Sequence, residues 1–231
     1  MPTELARSPL FGVALTLAVF AIAERVYGRV RTPFAHPVAT SIVAIIGALT
    51  LLGVPHEAYA AGGKLLLFLL GPAVVALAVP LYDQRARLAG RVLPILAGIV
   101  AGAVASIVTA VGTARLLGAS RAVALSLAPK SVTTPIAIAL SERIGGIPPL
   151  TACVVVLTGC IGAVVGPQLC RAFGIREPVA MGLAMGTACH GIGTARMLEV
   201  DALAGAVAGL AIGLNGVATS MILPVVLRFL G

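Results

Sequence analysis

The sequence predicts an all-α polytopic membrane protein. It would have roughly seven or eight transmembrane or re-entrant helices, some broken, arranged as inverted repeats. Three observations carry this expectation. Of 231 residues, 59% are hydrophobic and 10% charged, with a mean hydropathy of +1.10. A soluble domain is about half apolar and about a quarter charged, so this chain lacks the charge to cover a water-exposed surface. The apolar residues form long runs rather than alternating, which suits helices and not barrel strands. Proline, glycine and isolated polar residues also interrupt several runs, where a bilayer tolerates irregular backbone only against protein or a wet cavity.

Eight runs follow one another. The first, 10–27, leads into Arg25, Arg29 and Arg31. Its basic start and Ala21-Ile22-Ala23 superficially match a cleaved leader. With apolar spans throughout the chain, a retained span is the better expectation. The second run is 36–52 and the third 65–82, interrupted at Gly71-Pro72 and Pro80. The third reads as a kinked helix framing a cavity. The fourth, 92–111, carries Gly98 and Gly102 at the four-residue spacing that lets helix backbones approach closely. The fifth, 122–140, is broken at Pro129-Lys130 and Pro135. The sixth is 148–170, and the seventh, 178–198, is interrupted over 187–194. The eighth, 202–229, holds Asn215, better suited to a bond between helices than to a substrate. The whole chain, 1–231, reads as one transmembrane domain.

Basic residues set the orientation. Arg25, Arg29 and Arg31, and then Arg85, Arg87 and Arg91, mark two cytoplasmic loops, with the N-terminus outside. If all eight runs cross, eight basic residues fall inside and seven, including Arg7, outside. If the fifth run is re-entrant, the tally is nine to six, a slightly better fit. Re-entry would invert the later helices relative to the earlier ones, as inverted-repeat transporters require. Leu70-Gly71-Pro72 echoes Val165-Gly166-Pro167, and 76–80 echoes 126–129, at different offsets that fix no repeat boundary.

Composition also excludes functions. The net charge of +8 sits at run edges, without a basic stripe carrying aromatics, so nucleic acid is not a partner and the lipid bilayer is. Cys153, Cys160, Cys170 and Cys189 form no CxxC pair and read as small packing residues, so neither a metal nor a cofactor is expected. The acidic residues, from Glu4 to Asp201, all lie at or near run ends. That argues against a cation exchanger built on buried carboxylates, and against paired-carboxylate or two-metal catalysis. The chain is not expected to be an enzyme.

The fixed polar equipment is cationic and hydroxylic. Lys130 lies between helix breakers at membrane depth, where a charge costs roughly 3 kcal/mol. Ser131, Thr133 and Thr134 follow it. A helix beginning there would direct N–H groups at a small carboxylate beside the ammonium. The plainer alternative is a lysine reaching the headgroups from a helix end. The second cluster is Thr187, His190, Gly191, Gly193 and Thr194, read as a second broken helix forming the facing half of the site. His190 could bind substrate, relay a proton or simply pack through a hydrogen bond. Cys189-His190 is a poor nucleophile and base, because neighbours on a helix point about 100° apart.

Three stretches together resemble the LrgB/CidB/YohK family across nearly the whole chain. They are Pro129-Lys130-Ser131-Val132-Thr133-Thr134-Pro135, Ala188-Cys189-His190-Gly191-Ile192-Gly193-Thr194-Ala195, and the earlier Leu69-Leu70-Gly71-Pro72 with Ala76-Leu77-Ala78-Val79-Pro80-Leu81-Tyr82. Cys189 stands where many members have serine. The resemblance implies one of two activities in a bacterial plasma membrane. One is small-carboxylate transport, of pyruvate, glycolate or glycerate, as in the similar plastidic translocator. The other is a holin/antiholin-like effect on murein hydrolase export and cell lysis, usually with a small LrgA/CidA-like partner. Self-association is a further expectation.

Overall fold

The computed structural model describes residues 8–30, 32, 35–76 and 78–230, without the side chains of 9, 70, 71, 73, 74, 80 and 81. Arg7, Arg31 and Glu4 of the charge pattern, and Leu77 of the quoted motifs, lie outside the described residues. So do the side chains of Leu70, Gly71, Pro80 and Leu81. All regular structure among the described residues is helical. The protein is an all-α membrane protein. Among the described residues four helices are long and apolar enough to cross a bilayer: Leu10–Val30, Val92–Leu116, Pro148–Ala172 and Ala202–Leu230. The chain forms two compact units, Met1–Ala76 and Leu77–Gly231.

The first unit contains α1 (Pro9–Val30), α2 (Pro37–Leu52) and α3 (His56–Ala76). α1 packs on both other helices. Thr16 Oγ1 bonds Tyr59 Oη at 2.8 Å. α2 opens on Pro37, whose missing N–H would have no helical partner there anyway, and stops at Gly53 with φ 62°. α3 starts before the apolar run does and continues through Pro72, so the expected break at Gly71-Pro72 does not end the helix. A proline removes one ladder bond, which a long helix survives.

The second unit contains α4 (Ala78–Asp83), α5 (Arg85–Leu88), α6 (Val92–Leu116), α7 (Arg121–Leu127), α8 (Thr134–Ile144), α9 (Pro148–Ala172), α10 (Pro178–Val200) and α11 (Ala202–Leu230). α7 and α8 form a helical hairpin. Ser126 of α7 lies beside the far end of α8, accepting from the Ile147 amide through Oγ (2.7 Å) and from Thr151 through its carbonyl (2.9 Å). The Thr151 hydroxyl sits 2.7 Å from Ser141 Oγ as well. All three side chains are fully buried and bonded, so they lock the hairpin base onto α9.

α10 is also a hairpin. A continuous helix would hold Pro178 and Val200 about 33 Å apart. Instead both line one pocket, and Met181 and Met197 share a buried cluster. The chain reverses at His190, with φ 43° and ψ −136°. Beyond it the backbones run side by side: a Cβ on Gly193 would lie 2.8 Å from the Met185 carbonyl oxygen. The first arm lies along α11, where Gly182 and Gly186 admit the Ala204 and Ala208 backbones at distances no Cβ would allow.

The hairpins enter from opposite ends. α6 runs from the Arg91 end to the Arg115 end, and Arg91 pairs with Glu177 at the start of α10 (2.6 Å). Arg115 instead shares a pocket with Arg121, Ile144 and Arg228. Each hairpin follows a 25-residue helix that ends near a glycine of positive φ, Gly118 (78°) or Gly174 (76°). The blocks 92–144 and 148–200 are therefore inverted repeats, offset by 56 residues (Val92 to Pro148, Ile144 to Val200). This corrects both topology tallies. With two re-entrant hairpins, Arg143 stays at the end with Arg115, Arg121 and Arg228, and Arg196 stays with Arg171, Arg176 and Arg91.

Candidate binding cavity

The first hairpin tip is 128–133, where Pro129 ends one arm and α8 restarts at Thr134 with Pro135 in its first turn. Proline costs little in a first turn and interrupts a helix elsewhere, so this local pattern fixes where the arm stops and restarts. The second tip is His190, whose positive φ is rare for any residue with a Cβ and marks strain of about 1–3 kcal/mol. Its ring Nε2 donates to the Val155 carbonyl at 2.9 Å, and the Thr194 hydroxyl donates to the His190 carbonyl at 3.1 Å. Both bonds hold the turn in place.

Asn215, 1% exposed in α11, joins the two tips. Its Nδ2 donates to the Ser131 and Thr187 carbonyls, each at 3.0 Å. These residues are equivalent under the 56-residue offset, so one amide uses its two hydrogens on the same carbonyl of both repeats. Thr219 Oγ1 donates to Asn215 Oδ1 at 3.3 Å. The expectation of a bond between helices describes this residue; what it ties together was not foreseen.

Between α6, the first tip and the first arm of α10 lies a cavity of about 460 Å³. Its polar end holds Lys130, Ser131, Ser106, Thr109 and Thr187, and small residues such as Gly98, Gly102 and Ala184 line the rest. Lys130 is half-buried, and no carboxylate lies within ion-pair distance of it among the described residues. Lys130 Nζ donates to Ser131 Oγ at 3.3 Å, and Ser131 Oγ lies 2.7 Å from Ser106 Oγ. Thr187 Oγ1 is buried without a hydrogen-bond partner among the described residues. A cation with no carboxylate partner among the described residues, flanked by hydroxyl-bearing side chains, suits an anion.

Of the residues singled out from sequence, Lys130, Ser131 and Thr187 line this cavity. Thr133 caps α8 and Thr134 begins it, outside the lining. His190, Gly191, Gly193 and Thr194 shape the second tip behind it, and the buried ring of His190 faces α9. All the described lining residues belong to the second unit. Cys189 packs into the space left by Gly162, as a small core residue would. Ser106 and Thr109 were missed by sequence reasoning. Their signal was faint: hydroxyls three apart on one face of an otherwise apolar run.

The model of the LrgB-like family matches residues 16–229. The YxaC protein of Bacillus subtilis (strain 168), itself uncharacterised, is 36% identical over 93% of each chain. Its YwbG protein, also uncharacterised, is 36% identical over 94% of this chain and 96% of its own. The antiholin-like protein LrgB of Bacillus mycoides (strain KBAB4) is 34% identical over 97% of this chain and 98% of its own. No solved structure matches.

Proposed function

The chain belongs to the LrgB-like family, and we propose that this member carries small carboxylates such as pyruvate, glycolate or glycerate across the bilayer through the Lys130 cavity. One observation carries the reading: an ammonium with no carboxylate partner among the described residues shares a cavity with Thr187, whose buried hydroxyl has no partner among them, where opposed hairpin tips meet. Binding sites between discontinuous helices of inverted repeats are how many secondary transporters hold substrates near the bilayer midplane. Lys130 would supply charge, Thr187 and the Ser131–Ser106 pair would supply hydroxyl donors, and no bond is made or broken.

A second reading has its own support. The relatives' name, antiholin-like, favours a protein that modulates murein hydrolase export and lysis. The comparisons support that reading better than transport, which rests on the cavity alone. A small LrgA/CidA-like partner and self-association fit either. The relatives are bacterial and the spans helical, which supports a plasma-membrane location. Within the second unit the Arg91 end carries six arginines (Arg85, Arg87, Arg91, Arg171, Arg176, Arg196) against four at the other (Arg115, Arg121, Arg143, Arg228), which supports a cytoplasmic Arg91 end.

Purified protein in proteoliposomes decides between them. Saturable uptake of at least one labelled carboxylate is expected. Non-saturable leak of unrelated solutes would favour the second reading. If pyruvate, glycolate and glycerate enter protein-containing and empty vesicles equally, transport of these acids is wrong for this member.

A further inference from the structure

A second pocket, of about 350 Å³, lies at the Arg115 end of the second unit and shares no described lining residue with the Lys130 cavity, so it is a separate site. Arg115, Arg121 and Arg228 reach it from three different elements, and its wall includes Leu125, Ile144 and Leu227. Among the described residues no acidic side chain lines it. Arg115 has a structural reason to be there, since its guanidinium donates to the Leu230 carbonyl. Arg228 lies in the last turn of α11, where the helix dipole favours a cation. Arg121 opens α7, where the dipole opposes one, so helix stability does not account for it.

The inverted repeat supplies a control within the molecule. The corresponding pocket at the Arg91 end holds Arg171 and Arg176, and there Asp201 lines the wall with them. One copy thus has an acidic side chain in its wall, whereas the other gathers three guanidiniums with no acidic side chain among the described residues that line it. α6 and α11 are both long enough to cross a bilayer and both end here, which sets the pocket at headgroup depth.

We propose that the Arg115–Arg121–Arg228 pocket binds the phosphodiester headgroup of an anionic lipid, with the apolar wall against its glycerol and upper acyl carbons. Guanidiniums match phosphate oxygens in pairs, and an apolar wall beside them suits a lipid better than a free ion. The site stands independently of the transport reading.

The test measures thermal unfolding and lipid retention of detergent-purified protein with added phosphatidylglycerol, phosphatidylcholine or inorganic phosphate. Phosphatidylglycerol alone is expected to stabilise it. The Arg121→Gln/Arg228→Gln double variant should weaken that binding roughly thirtyfold, from the loss of two charged contacts at the membrane surface. Arg171→Gln/Arg176→Gln should leave it unchanged. Equal phosphatidylglycerol binding by wild type and the first variant overturns the proposal. So does equal stabilisation by phosphatidylcholine, which would mean no charge recognition, or by inorganic phosphate, which would mean a free-anion site. If the variant does not fold, salt titration of the wild type decides, because binding that high salt leaves intact is not held by these arginines.

Discussion

The two hairpin tips occupy equivalent places in an inverted repeat yet are built by opposite means. The 128–133 tip is wide, set by prolines, and carries an ammonium. The other turns at one residue, His190, held at φ 43° by bonds to Val155 and from Thr194. The first tip supplies charge; the second supplies shape and leaves one hydroxyl, Thr187, without a partner among the described residues. A repeated fold therefore does not repeat its chemistry. Each copy needs only to bring its backbone to the same point, and Asn215 reads both copies there through identical carbonyls.

The largest expected effect falls on the residue that joins the tips. Asn215→Ala leaves two buried carbonyls unpaired and should destabilise the protein by about 2–4 kcal/mol. Thermal or denaturant unfolding in detergent measures it, and a change within about 0.5 kcal/mol, as for an ordinary surface site, would remove Asn215 as the joint. Next comes the charge at the first tip. Lys130→Ala should lower carboxylate uptake about 100-fold, the worth of a charged hydrogen bond, with membrane level and melting temperature near wild type. Uptake that survives this change would mean the first tip is not the charged half of a site.

Thr187→Val sharpens the contrast between holding the fold and holding a ligand. It removes a buried hydroxyl without a partner, so ligand-free stability should rise by about 1 kcal/mol while carboxylate binding weakens roughly five- to tenfold. A loss of stability would show that the hydroxyl already has a partner within the fold. The smallest effect concerns the strained turn. His190→Gly should be more stable than His190→Ala by about 1 kcal/mol, because both lose the ring and only glycine adopts a positive φ freely. Equal stabilities would mean the second tip is not set by backbone strain.

Part of this site was legible in the sequence. Lys130, Ser131 and Thr187 stood out because polar residues beside helix breakers are costly in an apolar run. His190 stood out too, but its role was not legible: its ring turns to Val155 on α9 and its backbone makes the turn. The repeat left a trace at the 56-residue offset, in Arg115 and Arg171, Gly118 and Gly174, and Leu127-Ala128 and Leu183-Ala184. The proline-containing echoes, 70–72 with 165–167 and 76–80 with 126–129, lie at other offsets and obscure it.

Sequence alone determined the solvent, the helical class, the breaks in the fifth and seventh runs and the charge beside one of them. These are local properties, set by the hydropathy of about 20 consecutive residues and by where glycine and proline interrupt them. Only the tertiary structure decided that both broken runs turn back rather than cross. That choice rests on contacts between residues distant in the chain: Ser126 with Ser141 and Thr151 at one base, Met185 with Gly193 near the other tip, and Asn215 between them. A helix breaker says that the backbone must leave the helix; the partners waiting for its freed carbonyls decide which way it goes.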